Sequence, residues 1–178
     1  IQSKILELLA ELRDERNMGL ILITHDLGEA AKVADNVIVL KNGEIVESGS
    51  LRDVFINPKD SYTKQLMNSI PGKLTSLNTK IKNKNNHPIL EVKNISKVYD
   101  TVACDDVSFN LFNNEILGVV GESGSGKTTI SNLILRLIEP SSGTILYHGQ
   151  NIFDFNKKDL FNFRRKVQVV FQDPYASL

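Results

Sequence analysis

Gly121-Glu122-Ser123-Gly124-Ser125-Gly126-Lys127-Thr128 decides how this chain is read. It fits the pattern G-x-x-x-x-G-K-[ST], and its flanks give that pattern a mechanical meaning. The apolar run Ile116-Leu117-Gly118-Val119-Val120 leads into it, and residues 128–138 leave it with Ile130, Leu133, Ile134, Leu137 and Ile138 at helical spacing. A strand, a glycine loop and a helix together form a phosphate-binding loop. Glycine lets backbone N–H groups turn inward without Cβ clashes, making a concave anion site at a helix N-terminus. In such a loop Lys127 reaches the β- and γ-phosphates as a point charge, and the Thr128 hydroxyl ligates Mg²⁺. The competing reading is a glycine-rich turn before a core helix, and it leaves the lysine and threonine unexplained.

The 178 residues allow one ordinary domain or two incomplete ones. A hydrophobic content of 41% is enough for a packed core, and a net charge of zero gives no general reason to expect nucleic-acid binding. The single cysteine, Cys104, cannot form an internal disulfide, which suits a reducing compartment. The longest apolar runs are strand-sized, too short for a bilayer-spanning helix. The chain opens at Ile1 without a methionine and closes just after the turn-like Asp173-Pro174-Tyr175, so it is expected to be a segment of a longer protein.

Upstream, residues 1–17 carry a helical apolar period. Residues 20–24 are apolar throughout, as expected of a strand buried on both faces of a parallel sheet. Asp26 is placed to cap a helix running to Ala34. Residues 36–40 and 45–47 form a hairpin around Asn42-Gly43, and short helices are expected at 51–55 and 61–68. Residues 71–88 are rich in Lys, Asn, Ser and Thr, and no acid occurs between Asp60 and Glu91. They read as a solvated linker rather than a binding patch. Beyond it, strands are expected at 89–98, 107–111, 116–120, 144–147 and 168–171, with a charged helix at 157–165.

Together these motifs support a family resemblance. Residues 121–128, followed by Val169-Val170-Phe171-Gln172-Asp173-Pro174, resemble an ABC-transporter nucleotide-binding cassette from its phosphate loop to its Q-loop. Asn94-Ile95-Ser96-Lys97-Val98-Tyr99 is similar to the strand ending in that family's adenine-stacking aromatic. Leu22-Ile23-Thr24-His25-Asp26 resembles the switch-histidine segment near a cassette's end, and residues 39–49 resemble the hairpin after it. Asn57-Pro58, Tyr62-Thr63, Leu66 and Ser69-Ile70-Pro71 resemble the extension of oligopeptide and dipeptide importer ATPases. The late segments come first, which a tandem two-cassette protein explains: 1–70 closes the first cassette, 71–88 links, and 89–178 opens the second.

The resemblance implies an α/β fold, a P-loop NTPase of the ABC-cassette type. Its partly parallel core sheet with an antiparallel β edge would be incomplete here. It implies ATP and Mg²⁺, with Gly121, Glu122, Ser123, Gly124, Ser125, Gly126, Lys127, Thr128 and Thr129 around the phosphates and Tyr99 on the adenine. Thr128 and Gln172 would face the metal, and His25 the γ-phosphate. It further implies permease subunits, a second cassette and, indirectly, a periplasmic or extracellular solute-binding protein, at the cytoplasmic face of a membrane, without nucleic acid. Peptide import is the expected function. A soluble ABC-type ATPase of translation or DNA repair, or a non-catalytic nucleotide-binding regulator, is the alternative. No apolar strand ending in Asp-Glu and no Leu-Ser-Gly-Gly-Gln occurs, so the general base and signature helix of a cassette are missing. Residues 20–24 and 116–120 both need parallel neighbours, and the resemblance implies that the switch-histidine strand lies beside the phosphate-loop strand, so the two portions are expected to dock through these strands. His25 and Lys127 would then face one site. The alternative is two separate half-domains with exposed sheet edges.

Overall fold

The computed structural model describes residues 2–68 and 87–170. The expected linker, Phe171 and Gln172 fall almost wholly outside them. The first portion runs α1 (Gln2–Arg16), β1 (Leu20–Thr24), α2 (Leu27–Val33), β2 (Asn36–Lys41), β3 (Glu44–Ser50), α3 (Leu51–Ile56) and α4 (Ser61–Asn68). The second runs β4 (Leu90–Val98), β5 (Val102–Leu111), β6 (Ile116–Val120), α5 (Lys127–Ile134), β7 (Ser142–Tyr147), β8 (Gln150–Asn151), a 3₁₀ turn (Ile152–Asp154) and α6 (Lys157–Lys166).

The decisive feature is where β6 lies. One sheet has the order β1-β6-β2-β3, so the strand before the glycine loop inserts between two strands of the first portion. It pairs parallel with both: Leu20 to Thr24 lie opposite Ile116 to Val120, and Asn36 to Val39 opposite Leu117 to Val120. The expected contact between residues 20–24 and 116–120 is therefore present. The hairpin β2–β3 closes the sheet antiparallel, and a second, antiparallel sheet has the order β5-β4-β7-β8.

Side-chain alternation explains why β6 is apolar at every position. Ile116 and Val120 face one cluster with Ala30, Ala31 and Ala34 of the α2 segment, Val37, Val39, Val54 and Tyr62. Leu117 and Val119 face a second cluster with Ile38, Leu40, Val92, Ile95, Val107, Ile130 and Leu133. A strand covered on both sides cannot show polar alternation. All five of its residues are buried. Gly118 lets α2 lie close, since a Cβ there would stand 3.4 Å from Ala34 Cβ.

Polar groups sew the same seam. The Leu20 N–H donates to Glu115 O at 2.8 Å and the Asp35 N–H to Ile116 O at 2.8 Å. Asp35 Oδ2 accepts from the Ile116 N–H at 2.7 Å and from the buried Arg13 guanidinium at 3.1 Å. Asn36 donates its amide to the buried Glu115 carboxylate, and Asn114 donates to Asn17 at 2.6 Å.

Four expectations are corrected. Among the described residues β1 is an edge strand with one neighbour, and of its residues only Thr24 is buried, the other four being partly exposed. α5 stops at Ile134 rather than 138, because Arg136 turns left-handed at φ 51° and its guanidinium donates to Phe153 O and Phe155 O at 3.1 and 3.0 Å. β5 begins at Val102 rather than 107, continuing the hairpin with β4 through register shifts. Residues 168–170 form no strand: neither sheet pairs with them, and Val170 is 80% exposed.

Candidate functional site

The glycine loop begins where β6 ends and finishes in the first turn of α5. Gly126 is the residue before that helix, left-handed at φ 98°, and no side chain caps the helix start. The first-turn amides of a helix have no intrahelical acceptors, so an uncapped start presents them outward. A Cβ on Gly126 would stand 2.6 Å from Ala103 O and 3.2 Å from Gly43 Cα, both backbone atoms. Gly121 is equally confined, with Leu40 O 2.2 Å from the Cβ it lacks. Gly124, at φ 82°, faces open space.

Lys127 folds back over the loop. Its Nζ donates to Gly121 O at 2.9 Å, Glu122 O at 2.7 Å and Ser125 Oγ at 3.3 Å. Burial holds its pKa below the ordinary lysine value. The ammonium is thus gathered into the concave side of the loop by neutral oxygens. Ser125 is buried, whereas Glu122, Ser123, Gly124 and Thr128 are exposed and Thr129 is half-buried.

Neighbouring elements close around this loop. The Asn42-Gly43 turn has φ 50° and 85°. Its Gly43 N–H donates to Ser125 O at 3.1 Å, and Gly43 O accepts from the Asp105 N–H at 2.9 Å. From α4, buried Tyr62 brings its phenol oxygen to the Glu122 N–H at 3.1 Å, with Lys41 Nζ 4.7 Å from its ring centre. Burial pushes the Tyr62 phenol above its usual pKa, while the Glu122 amide pulls it back.

The expected site residues are partly brought together. Since Thr24 lies opposite Val120, His25 follows β1 at the level where Gly121 follows β6. It is exposed, between Thr24 and the Asp26 cap of α2, whose Oδ1 accepts from the Gly28 and Glu29 amides at 2.7 and 3.3 Å. Tyr99 sits at the tip of the β4–β5 hairpin, 55% exposed, beside the similarly exposed Val98 and Val102. Ala103 of the same hairpin meets Gly126, which places the tip on the loop's flank. Gln172 lies outside the described residues. Sequence reasoning missed Tyr62, Ala103 and Gly43 as parts of the site. Only Gly43 left a local signal, through its turn.

The arrangement fits a polyphosphate: an uncapped helix start, glycines that no Cβ could replace without displacing backbone, and an ammonium held at the loop. For a divalent ion, the described residues contain no group of three His, Cys, Asp or Glu side chains able to hold it. Mg²⁺ keeps several waters and is held through one or two carboxylates together with substrate phosphates rather than by an all-protein cage, and Thr128 leaves an exposed hydroxyl at the start of α5. No helix among the described residues is long and apolar enough to cross a membrane.

Residues 104–177 match the family model described as ABC transporter. Over 212 residues the chain is 36% identical to the Glutathione import ATP-binding protein GsiA of Escherichia coli O6:H1, covering 100% of this chain and 34% of that protein. The GsiA of Shigella flexneri matches with the same identity and coverage. The chain thus spans about a third of the length of these curated relatives. Among solved structures, cbiO1 from Clostridium perfringens, part of the ABC transporter complex cbiONQ, is 31% identical with a TM-score of 0.46, covering 51% of this chain and 37% of that chain.

Proposed function

We propose, from the premise that this chain belongs to the ABC transporter family, that residues 121–129 bind the polyphosphate of ATP with Mg²⁺. The observation that carries this reading is Lys127 Nζ on Gly121 O and Glu122 O, at the uncapped start of α5. Lys127 exchanges those neutral carbonyls for phosphate oxygens, and the amides of the α5 first turn add donors aimed at the same anion. Thr128 offers its hydroxyl to the ion. Tyr99 gives adenine an exposed π-face, a stacking contact worth about 1–3 kcal/mol. His25, at the neighbouring strand end, is the residue proposed to face the γ-phosphate in this chain, and Gln172, outside the described residues, is proposed as the metal-facing side chain. When bound, the nucleotide supplies the phosphoanhydride whose cleavage does the parent's work.

In the parent, the chain belongs to the ATP-binding subunit of an importer. Residues 1–70 close one cassette, 71–88 link, and 89–178 open the next. The relatives import glutathione, itself a short peptide, and peptides or similar solutes are the cargo proposed here. Permease subunits, a second cassette and, at one remove, a solute-binding protein are its partners, at the cytoplasmic face of the membrane.

Calorimetric titration with MgATP tests the reading. Truncating one member of a desolvated charge pair costs about 2–5 kcal/mol. At 1.4 kcal/mol per tenfold, Lys127→Ala should weaken binding at least about thirtyfold. Equal affinity in the variant removes Lys127 from the site.

A further inference from the structure

The phosphate loop is held from outside by one residue of the importer-type extension. The peptide groups of Glu122 are tied at both ends. Its carbonyl accepts from Lys127 Nζ at 2.7 Å and from the Ser125 N–H at 3.2 Å, while its N–H donates to the Tyr62 phenol at 3.1 Å. The first tie is the one that nucleotide binding removes, because Lys127 must turn to phosphate.

Tyr62 is itself fixed before any ligand arrives. Glu47 of β3 accepts the Lys59 N–H on one carboxylate oxygen at 2.8 Å and the Asp60 N–H on the other at 3.1 Å. Asp60 then caps α4, its Oδ1 accepting the Tyr62 and Thr63 amides at 2.8 and 3.3 Å. Tyr62 stands in the first turn of that helix, 5% exposed, with its ring in the core cluster that includes Ile116 and Val120. A side chain seated this way cannot follow the loop; the loop must conform to it.

We propose that Tyr62 is a positioning residue for the nucleotide site, pinning the Glu122 amide so that the loop keeps its shape when Lys127 leaves its carbonyls for phosphate. This rests on the nucleotide-binding reading above and adds the extension helix to the site. A hydrogen bond that matters more in the bound state than in the free state appears in affinity, whereas one that matters equally in both appears only in stability.

The test is Tyr62→Phe in the full chain, which removes one oxygen and keeps the ring. A neutral hydrogen bond is worth about 0.5–1.5 kcal/mol net, which bounds the part that can appear in affinity, so MgATP affinity by calorimetry should fall more than about twofold and at most about tenfold. The spectroscopic readout is hydrogen exchange of the Glu122 amide by NMR. In the wild type it stays slow on saturation with MgATP, and in the variant it becomes fast in the bound state. Affinity within twofold of wild type, or a Glu122 amide equally protected in both, overturns the proposal. A wild-type chain that takes up no MgATP overturns the nucleotide reading first and this inference with it, an outcome distinct from a binding wild type with an unaffected variant. Should Tyr62→Phe fail to fold, the wild-type amide decides: loss of its protection on MgATP saturation refutes the pin.

Discussion

Replacing Asp35 by alanine is the most direct challenge to the way the two portions share a sheet. One carboxylate oxygen, Oδ2, receives the first amide of β6, Ile116 N–H, at 2.7 Å and the Arg13 guanidinium at 3.1 Å. Alanine leaves the Ile116 N–H without that acceptor, a loss of about 1–3 kcal/mol for a buried donor. Arg13, whose side chain is only 9% exposed, keeps Asp14 on its Nε at 2.9 Å and loses one of two carboxylates. Its share is therefore set at about 1–2 kcal/mol, below the 3–5 of a fully broken buried pair. The total is about 2–5 kcal/mol. For a chain of this size each kcal/mol moves the melting temperature about 2–4 °C, so a drop of about 4–20 °C is expected.

Asp35→Asn separates the two contributions. The amide oxygen still accepts from Ile116, so only the charge contribution goes, and the drop should be under half that of alanine. Scanning calorimetry of the wild type and both variants measures this, with exchange of the Ile116 amide as the local readout. An Asp35→Ala melting point within about 1 °C of wild type, or identical losses in the two variants, would refute the reasoning.

Two further outcomes test the loop and the limits of its chemistry. Gly126→Ala should lower the urea midpoint more than Gly124→Ala: both incur the left-handed penalty of about 1–2 kcal/mol, but only at 126 would the new Cβ meet backbone, 2.6 Å from Ala103 O, whereas at 124 nothing lies within 4 Å. Equal midpoints would mean that Ala103 does not back the loop. With no strand ending in Asp-Glu and no Leu-Ser-Gly-Gly-Gln in the sequence, the chain should bind MgATP yet release phosphate at little above the rate without protein; a phosphate assay showing steady turnover contradicts this.

What the sequence made legible is what local chemistry encodes. The glycine loop announced itself because a fixed spacing of Gly, Lys and Thr between a strand and a helix has few other uses. The Asn42-Gly43 turn did so because a two-residue hairpin favours residues that accept positive φ, which both adopt. Two apolar strands that each lacked a parallel neighbour showed that partners were needed, and the family resemblance named β1 and β6 as a pair, but neither said that β6 would also pair with β2. Tyr62 was visible only as part of a spacing pattern, because nothing near residue 62 points to an amide 60 positions later. The early end of α5 depends on a side chain, Arg136, bonding to carbonyls at 153 and 155. Periodicity through Leu137 and Ile138 continued past a stop that tertiary contacts impose.

The support around the loop has a physical logic. A turn with glycines at φ 82° and 98° has many alternative shapes of similar energy, and glycine loses the most freedom when one is chosen. The shape must therefore be imposed by neighbours that are themselves rigid. Here they are a tight turn at Gly43, a strand edge at Ala103 and a capped helix at Tyr62, each holding a different peptide of the loop. Two of the three come from the first seventy residues, delivered by the same sheet and cluster that receive β6. It follows that weakening the seam at Asp35, which bonds to Arg13, Leu51 and Ile116, should weaken nucleotide binding as well as stability. If Asp35→Ala melts early yet binds MgATP with unchanged affinity at low temperature, the loop shapes itself, and the neighbours only accompany it.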